Sequence, residues 1–247
     1  MALSSSTVFI CFLWKDKLTN GIVTDWPDAP PSRLPWVTIG VLLVCTVAKT
    51  LLSSATPLIQ QAILELAGVY PSHLAGVFLQ PIVNWMDYQV LSLFSALFIH
   101  TSWVHLTGNM VYLWVFGVPL ERRLGRFFML VLFLIGGALA NLVVSLHLPD
   151  LTSPIVGASG AISAVVGAYL GLFPSRRIGM LLPLGLYLQF ARVPGVLVIG
   201  SWFTLQLVYT VLGPITGVVA WWTHMAGFAL GLIFALLMRA IAWIKTG

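Results

Sequence analysis

From residue 35 onward the chain is a succession of apolar stretches near the roughly 20 residues that a helix needs to cross a bilayer, with nearly all charge at the joints between them. No water-soluble globule tolerates that pattern. Of the 247 residues, 59% are hydrophobic and only 8% charged, which is more apolar surface than one core can hide. The net charge of +5 does not point to nucleic acid, because the basic residues flank apolar stretches instead of forming a patch on a polar domain. Cys11 and Cys45 have no motif spacing, so neither a disulfide framework nor a metal site is expected.

The fold expected is an all-α polytopic membrane protein with six spanning helices, at about 35–54, 103–118, 127–146, 159–173, 193–212 and 215–241. Residues 1–34 read as a leader and 35–247 as one membrane domain. Between the first two spans, residues 55–103 carry Pro57, Pro71 and Pro81 with only two charges, Glu65 and Asp87. That stretch is expected to be a long interfacial loop with short helices lying partly in lipid. Residues 177–192, broken by Pro183 and Gly185, are too short to cross and read as a hairpin or helix at the surface.

Orientation follows from Lys and Arg. Lys15, Lys17 and Arg33 precede the first span, Arg122, Arg123 and Arg126 follow the second, Arg176, Arg177 and Arg192 lie between the fourth and fifth, and Arg239 and Lys245 come last. All fall on the cytoplasmic side if both termini are cytoplasmic. The opposite connections then hold no Lys or Arg, and only Lys49 is out of place, near the outer end of the first span, where it is expected to snorkel outward.

In that topology the second, fourth and sixth spans start from the outer face, and His105, Asn109, Ser159 and His224 all lie near those starts. At about 1.5 Å per residue the four polar groups share one depth. Taken singly they are unremarkable: a serine in an apolar helix usually bonds back to its preceding turn, and a His or Asn near a helix start is often a clamp. An ionisable group inside a span, however, is costly and functional by default. Gly160, Ser163, Ala164, Gly167 and Gly171 form a small-residue face on the fourth span, and Gly227, Gly231 and Ala235 recur every four residues on the sixth. Such faces let backbones approach closely, which brings the His224 imidazole toward the Ser159 hydroxyl. Neutral imidazole is the usual base for a serine nucleophile. Beyond Glu121 the one carboxylate side chain is Asp150, in an outer loop, so the arrangement is a dyad and not a triad. Asn109, His105 and the N–H groups at the start of the Ser159 helix are the candidate oxyanion donors.

These residues resemble the rhomboid family of intramembrane serine proteases. Gly157-Ala158-Ser159-Gly160 is similar to its G-x-S-G motif, His224, Gly227 and Gly231 to its H-x-x-G-x-x-x-G helix, and His100, Trp103, His105 and Asn109 to its H-x-x-W-x-H-x-x-x-N motif. The likeness runs from about Phe94 to Leu232 and includes residues 120–126. It implies that 35–247 is a six-helix protease domain. It implies Ser159 as nucleophile, His224 as base, His105, Asn109 and the Ser159 backbone at the oxyanion hole, and His100, Gly157, Gly160, Gly227 and Gly231 as structural neighbours. It also implies transmembrane proteins as substrates, no metal or other cofactor, and a site opening to the extracytoplasmic side. Two positions depart from the family's pattern. Leu91-Ser92 stands where many members have Trp-Arg, and Ser163 stands where some stack a Tyr on the catalytic imidazole, so another group must orient His224.

Two other readings compete. Against a catalytically inactive relative that binds membrane clients stands the presence of both Ser159 and His224. A small transporter would be expected to show matching halves or an intramembrane carboxylate. An aspartyl or H-E-x-x-H zinc mechanism lacks its residues. Apart from lipid, the expected partners are transmembrane substrates entering past the fifth span, where Trp202 and Phe203 form a candidate gate.

Overall fold

The structure is a computed structural model that describes residues 34–78, 87–184, 187–212 and 215–246. Cys11, Pro81 and the leader up to Arg33 lie outside them. Helices stand at all six expected positions. They are α1 (Trp36–Ser54), the continuous α5 (Trp103–Tyr112) and α6 (Val118–Leu124), α7 (Arg126–His147), α8 (Ser159–Leu172), α9 (Gly195–Leu212) and α10 (Ile215–Thr246). By length and hydropathy α1, α7 and part of α10 can each cross a bilayer alone. The α5–α6 segment qualifies together with the helix before it, across an 80° bend.

Among its described residues the connection after α1 holds three short α-helices, α2 (Pro57–Ala67), α3 (Pro71–Phe78) and α4 (Tyr88–Ser95), as its proline breaks imply. Thr56 and Asp87 cap α2 and α4 by accepting N–H bonds with their side chains, the use of short oxygen side chains that helix starts favour. A small apolar cluster, including Val69, Leu74, Val90, Leu93 and Val144, packs this loop onto α7. Leu91-Ser92 does not leave the loop loose. Asn141 in α7 donates to the Leu93 carbonyl at 3.1 Å, and Val69 exchanges backbone hydrogen bonds with Ile155.

Residues 177–192, expected as a hairpin or a helix, form the hairpin: β1 (Arg177–Leu184) runs antiparallel to β2 (Tyr187–Pro194), pairing Arg177 with Pro194 and Leu184 with Tyr187. Two expectations need correction. The second helix does not stop before Pro119 but runs on to Leu124 through a π-turn at Leu113–Gly117. A proline cannot donate to the helix ladder and crowds the carbonyl four residues back, and the widened turn absorbs that fault without ending the helix. Second, Lys49 is buried and does not snorkel. Its Nζ donates to the Thr101 carbonyl at 2.9 Å and lies 5.8 Å from the centre of the Trp103 ring.

The core is built around α8, whose residues from Gly160 to Tyr169 are all buried. At 14 residues it is about 21 Å long, less than the roughly 30 Å of hydrocarbon in a bilayer. It is therefore too short to cross the hydrocarbon by itself. Glu121 locks the start of α1 to α6, accepting from Val37 N, Thr38 N and Thr38 Oγ1 at 2.8–2.9 Å. These N–H groups belong to the first turn of α1, which has no acceptor of its own and favours an anion. Glu121→Ala is expected to lower stability by about 3 kcal/mol, read as a lower unfolding midpoint in detergent; an unchanged midpoint contradicts the lock.

Candidate active site

The approach of α8 to α10 decides where the polar groups meet. A Cβ on Gly231 would strike the Ala164 carbonyl, one on Gly227 the Gly160 carbonyl, and one on Gly167 the Phe228 carbonyl. A Cβ on Gly160 would lie 2.8 Å from Thr223 Cγ2. The two backbones thus touch at three levels, with a side-chain contact at the fourth, and Ser159 and His224 are each the immediate neighbour of a contact residue.

The segment before α8 fixes where that helix begins. Gly157 N donates to the Ala96 carbonyl at 2.9 Å, and Ala158 N donates to His100 Nε2 at 3.4 Å. Gly157 has φ +120°, and a side chain there would fall 2.6 Å from His105 Cε1; only glycine meets both demands. His100 is fully buried in the turn before α5. Burial first, and then the neighbouring His105, lowers its pKa to about 4, against the raising effect of the Phe98 backbone. The neutral ring can therefore accept at Nε2, where it also meets Asn109 Nδ2 at 3.0 Å. His100 is thus a hub joining α5 to α8.

His105, Asn109, Ser159 and His224 line one cavity of about 560 Å³. Gly157 lines it too, whereas His100 stands behind it. His105 starts α5 with its N–H on the Ser102 hydroxyl at 3.1 Å. The Asn109 amide gives one N–H to His100 and keeps the other. The N–H groups of the first turn of α8 have no acceptor in their own helix, and Ala158 offers no side-chain cap. Ser163 does not face the imidazole, because its hydroxyl bonds back to the Ser159 carbonyl at 2.7 Å.

No hydrogen bond joins the Ser159 hydroxyl to His224. Both imidazole nitrogens are buried without a partner among the described residues. The ring is instead packed by the Trp202 indole of α9, 5.0 Å between centroids and tilted 39°. Trp202 was legible as an aromatic on the fifth helix, but its contact with the imidazole was not. Asn141 and Gln206 also line the cavity, and an Asn inside an apolar span was a signal left unused. His147 and His73, for which the sequence offers no partners, pack on Trp222 at 4.2 Å and Tyr70 at 5.3 Å. Neither touches the cavity.

The Rhomboid domain model matches residues 87–241, a stretch that contains every residue just placed around the cavity. The chain belongs to the rhomboid family. It is 37% identical over 95 residues to the Saccharomyces cerevisiae "Rhomboid protein 1, mitochondrial", covering 36% of this chain and 27% of that protein. It is 41% identical over 68 residues to the Arabidopsis thaliana "Rhomboid-like protein 11, chloroplastic", covering 28% of this chain and 24% of the relative. It is also 35% identical over 92 residues to the Homo sapiens "Rhomboid-related protein 3", covering 37% and 22%. The aligned part spans about a quarter of each relative's length. Family membership makes this an integral membrane protein of rhomboid type, a class that includes proteases and inactive relatives.

Proposed function

We propose that this rhomboid is an active intramembrane serine endopeptidase that hydrolyses peptide bonds in or near the transmembrane segments of other membrane proteins. The observation that carries the reading is the cavity that Ser159 and His224 share with His105 and Asn109. Its residues have the chemistry of acyl transfer. Ser159 Oγ attacks the scissile carbonyl while its proton passes to the imidazole, which must first turn to hydrogen-bond distance of the hydroxyl. The resulting oxyanion takes hydrogen bonds from the Asn109 amide, the His105 ring and the free N–H groups at the start of α8. Collapse breaks the C–N bond, and the imidazolium gives its proton to the departing amine. Water, deprotonated by the same imidazole, then releases the acyl group from Ser159.

In this reading both termini are cytoplasmic, residues 1–34 are a cytoplasmic leader to the protease domain, and the cavity opens on the extracytoplasmic side. The Lys and Arg distribution supports that orientation. The acyl transfer needs no metal or other cofactor, since nucleophile, base and oxyanion donors are all side-chain and backbone groups. A substrate helix must unwind locally before attack, since its peptide bonds are otherwise engaged within the helix.

A fluorophosphonate serine-hydrolase probe, followed by peptide mapping, tests the reading: the label is expected on Ser159 and absent from His224→Ala. Absence of label from the folded wild-type protein indicates an inactive client-binding relative. Asn109→Ala is expected to slow cleavage of a transmembrane reporter about 10²–10³-fold, the usual effect of losing one oxyanion donor, mainly through kcat. A change confined to KM would assign Asn109 to substrate binding.

A further inference from the structure

A general base has to be held at a fixed angle to its nucleophile, and an error of about 1 Å in such placement can cost 10²-fold in rate. An imidazole is normally fixed by a hydrogen bond to one ring nitrogen while the other works. His224 has no such bond, since Nδ1 and Nε2 are both buried without a partner. Beyond Glu121 the only carboxylate side chain is Asp150, outside the residues lining the cavity. The Ser163 hydroxyl, one turn below Ser159, is spent on a backbone carbonyl.

What does meet the ring is an aromatic stack. Trp202 packs on the imidazole at 5.0 Å and is itself gripped by Tyr112 of α5 at 5.5 Å and by the next residue, Phe203, at 4.8 Å. Phe203 in turn packs edge-on against Trp221 and Phe228, on either side of His224 along α10. The indole is therefore seated between two walls of the cavity, with the imidazole against it. It also lines the cavity.

We propose, building on the serine-protease reading above, that Trp202 is a positioning residue for the catalytic base. Its indole, and not a third polar member, holds the His224 imidazole at its working angle. Because Trp202 stands on α9 while His224 stands on α10, the competence of the base depends on the seating of α9. An outward swing of α9 that admits a substrate helix would release the ring, and its return would restore the base.

A small phosphonofluoridate separates this role from gating, because it reaches the cavity without lateral entry. In its reaction the Ser159 O–P bond forms, fluoride leaves and the serine proton goes to His224. Trp202→Leu keeps apolar bulk but removes the flat ring, and is expected to react at least about tenfold more slowly than wild type. Trp202→Phe keeps a ring and is expected within about threefold. With a transmembrane reporter, Trp202→Leu is expected to lose kcat with KM little changed. Leu205→Ala, exposed on the same helix, is expected to label at the wild-type rate. Equal labelling rates for the Phe and Leu variants, or a Leu variant as fast as wild type, overturn the proposal and leave the indole as a gate or filler. A wild-type protein that takes no label at Ser159 fails a different test: the protease reading itself falls, and with it the base that Trp202 would hold.

Discussion

Ser159→Ala is expected to abolish cleavage of a transmembrane reporter, with a loss of at least about 10⁴-fold, in the range seen when a serine nucleophile is deleted elsewhere. The substitution removes one oxygen and no packing. Among the described residues the Ser159 hydroxyl makes no hydrogen bond with the protein, its carbonyl keeps the bond from Ser163, and Ala suits a helix better than Ser. Expression and unfolding midpoint should therefore match wild type. His224→Ala should be equally inactive, and the double variant no worse than either, because nucleophile and base act as a unit. Undiminished cleavage by Ser159→Ala, scored by the appearance of a product fragment in proteoliposomes, would eliminate the serine mechanism.

Gly231→Val is expected to cost more than about 3 kcal/mol of stability and to leave no measurable activity. The added Cβ meets the Ala164 carbonyl, a backbone atom in the most buried helix of the fold, so rotamer changes cannot relieve the clash. Helices α8 and α10 must separate, and with them Ser159 and His224. Gly231→Ala should show the same defect in weaker form, since it too introduces the Cβ. Gly40→Ala is the control: nothing lies within 4 Å of a Cβ there, and replacing a helical glycine by alanine is neutral or mildly stabilising. If Gly231→Val unfolds at the wild-type temperature in detergent, the close approach of the two helices is wrong.

Much of the site was written locally. Small residues at four-residue spacing on the fourth and sixth helices announce a close crossing, since only residues without bulk permit one. Their places near the starts of three helices bring His105, Asn109, Ser159 and His224 to one level. The role of His100 was only half legible. A histidine five residues before His105 reads as a loop clamp, but its second bond, to the Ala158 backbone, depends on residues 58 positions apart. Lys49 misled because a lone cation near a helix end normally reaches for water, and the carbonyl of Thr101 that takes it comes from a distant turn. The π-turn was missed because Pro119 by itself signals a stop.

The sequence alone determined that the chain lives in a membrane, where its long apolar helices fall, and which side chains are chemically able to transfer an acyl group, because hydrophobic length, proline breaks and glycine spacing are properties of contiguous residues. Tertiary structure alone decided what surrounds the imidazole, how Glu121 ties the start of α1 to α6 and how residues 151–158 are strapped to the loop after α1. Those facts depend on the relative rotation of packed helices, and rotation is set by side-chain interlocking summed over the whole bundle, which no single stretch of sequence contains.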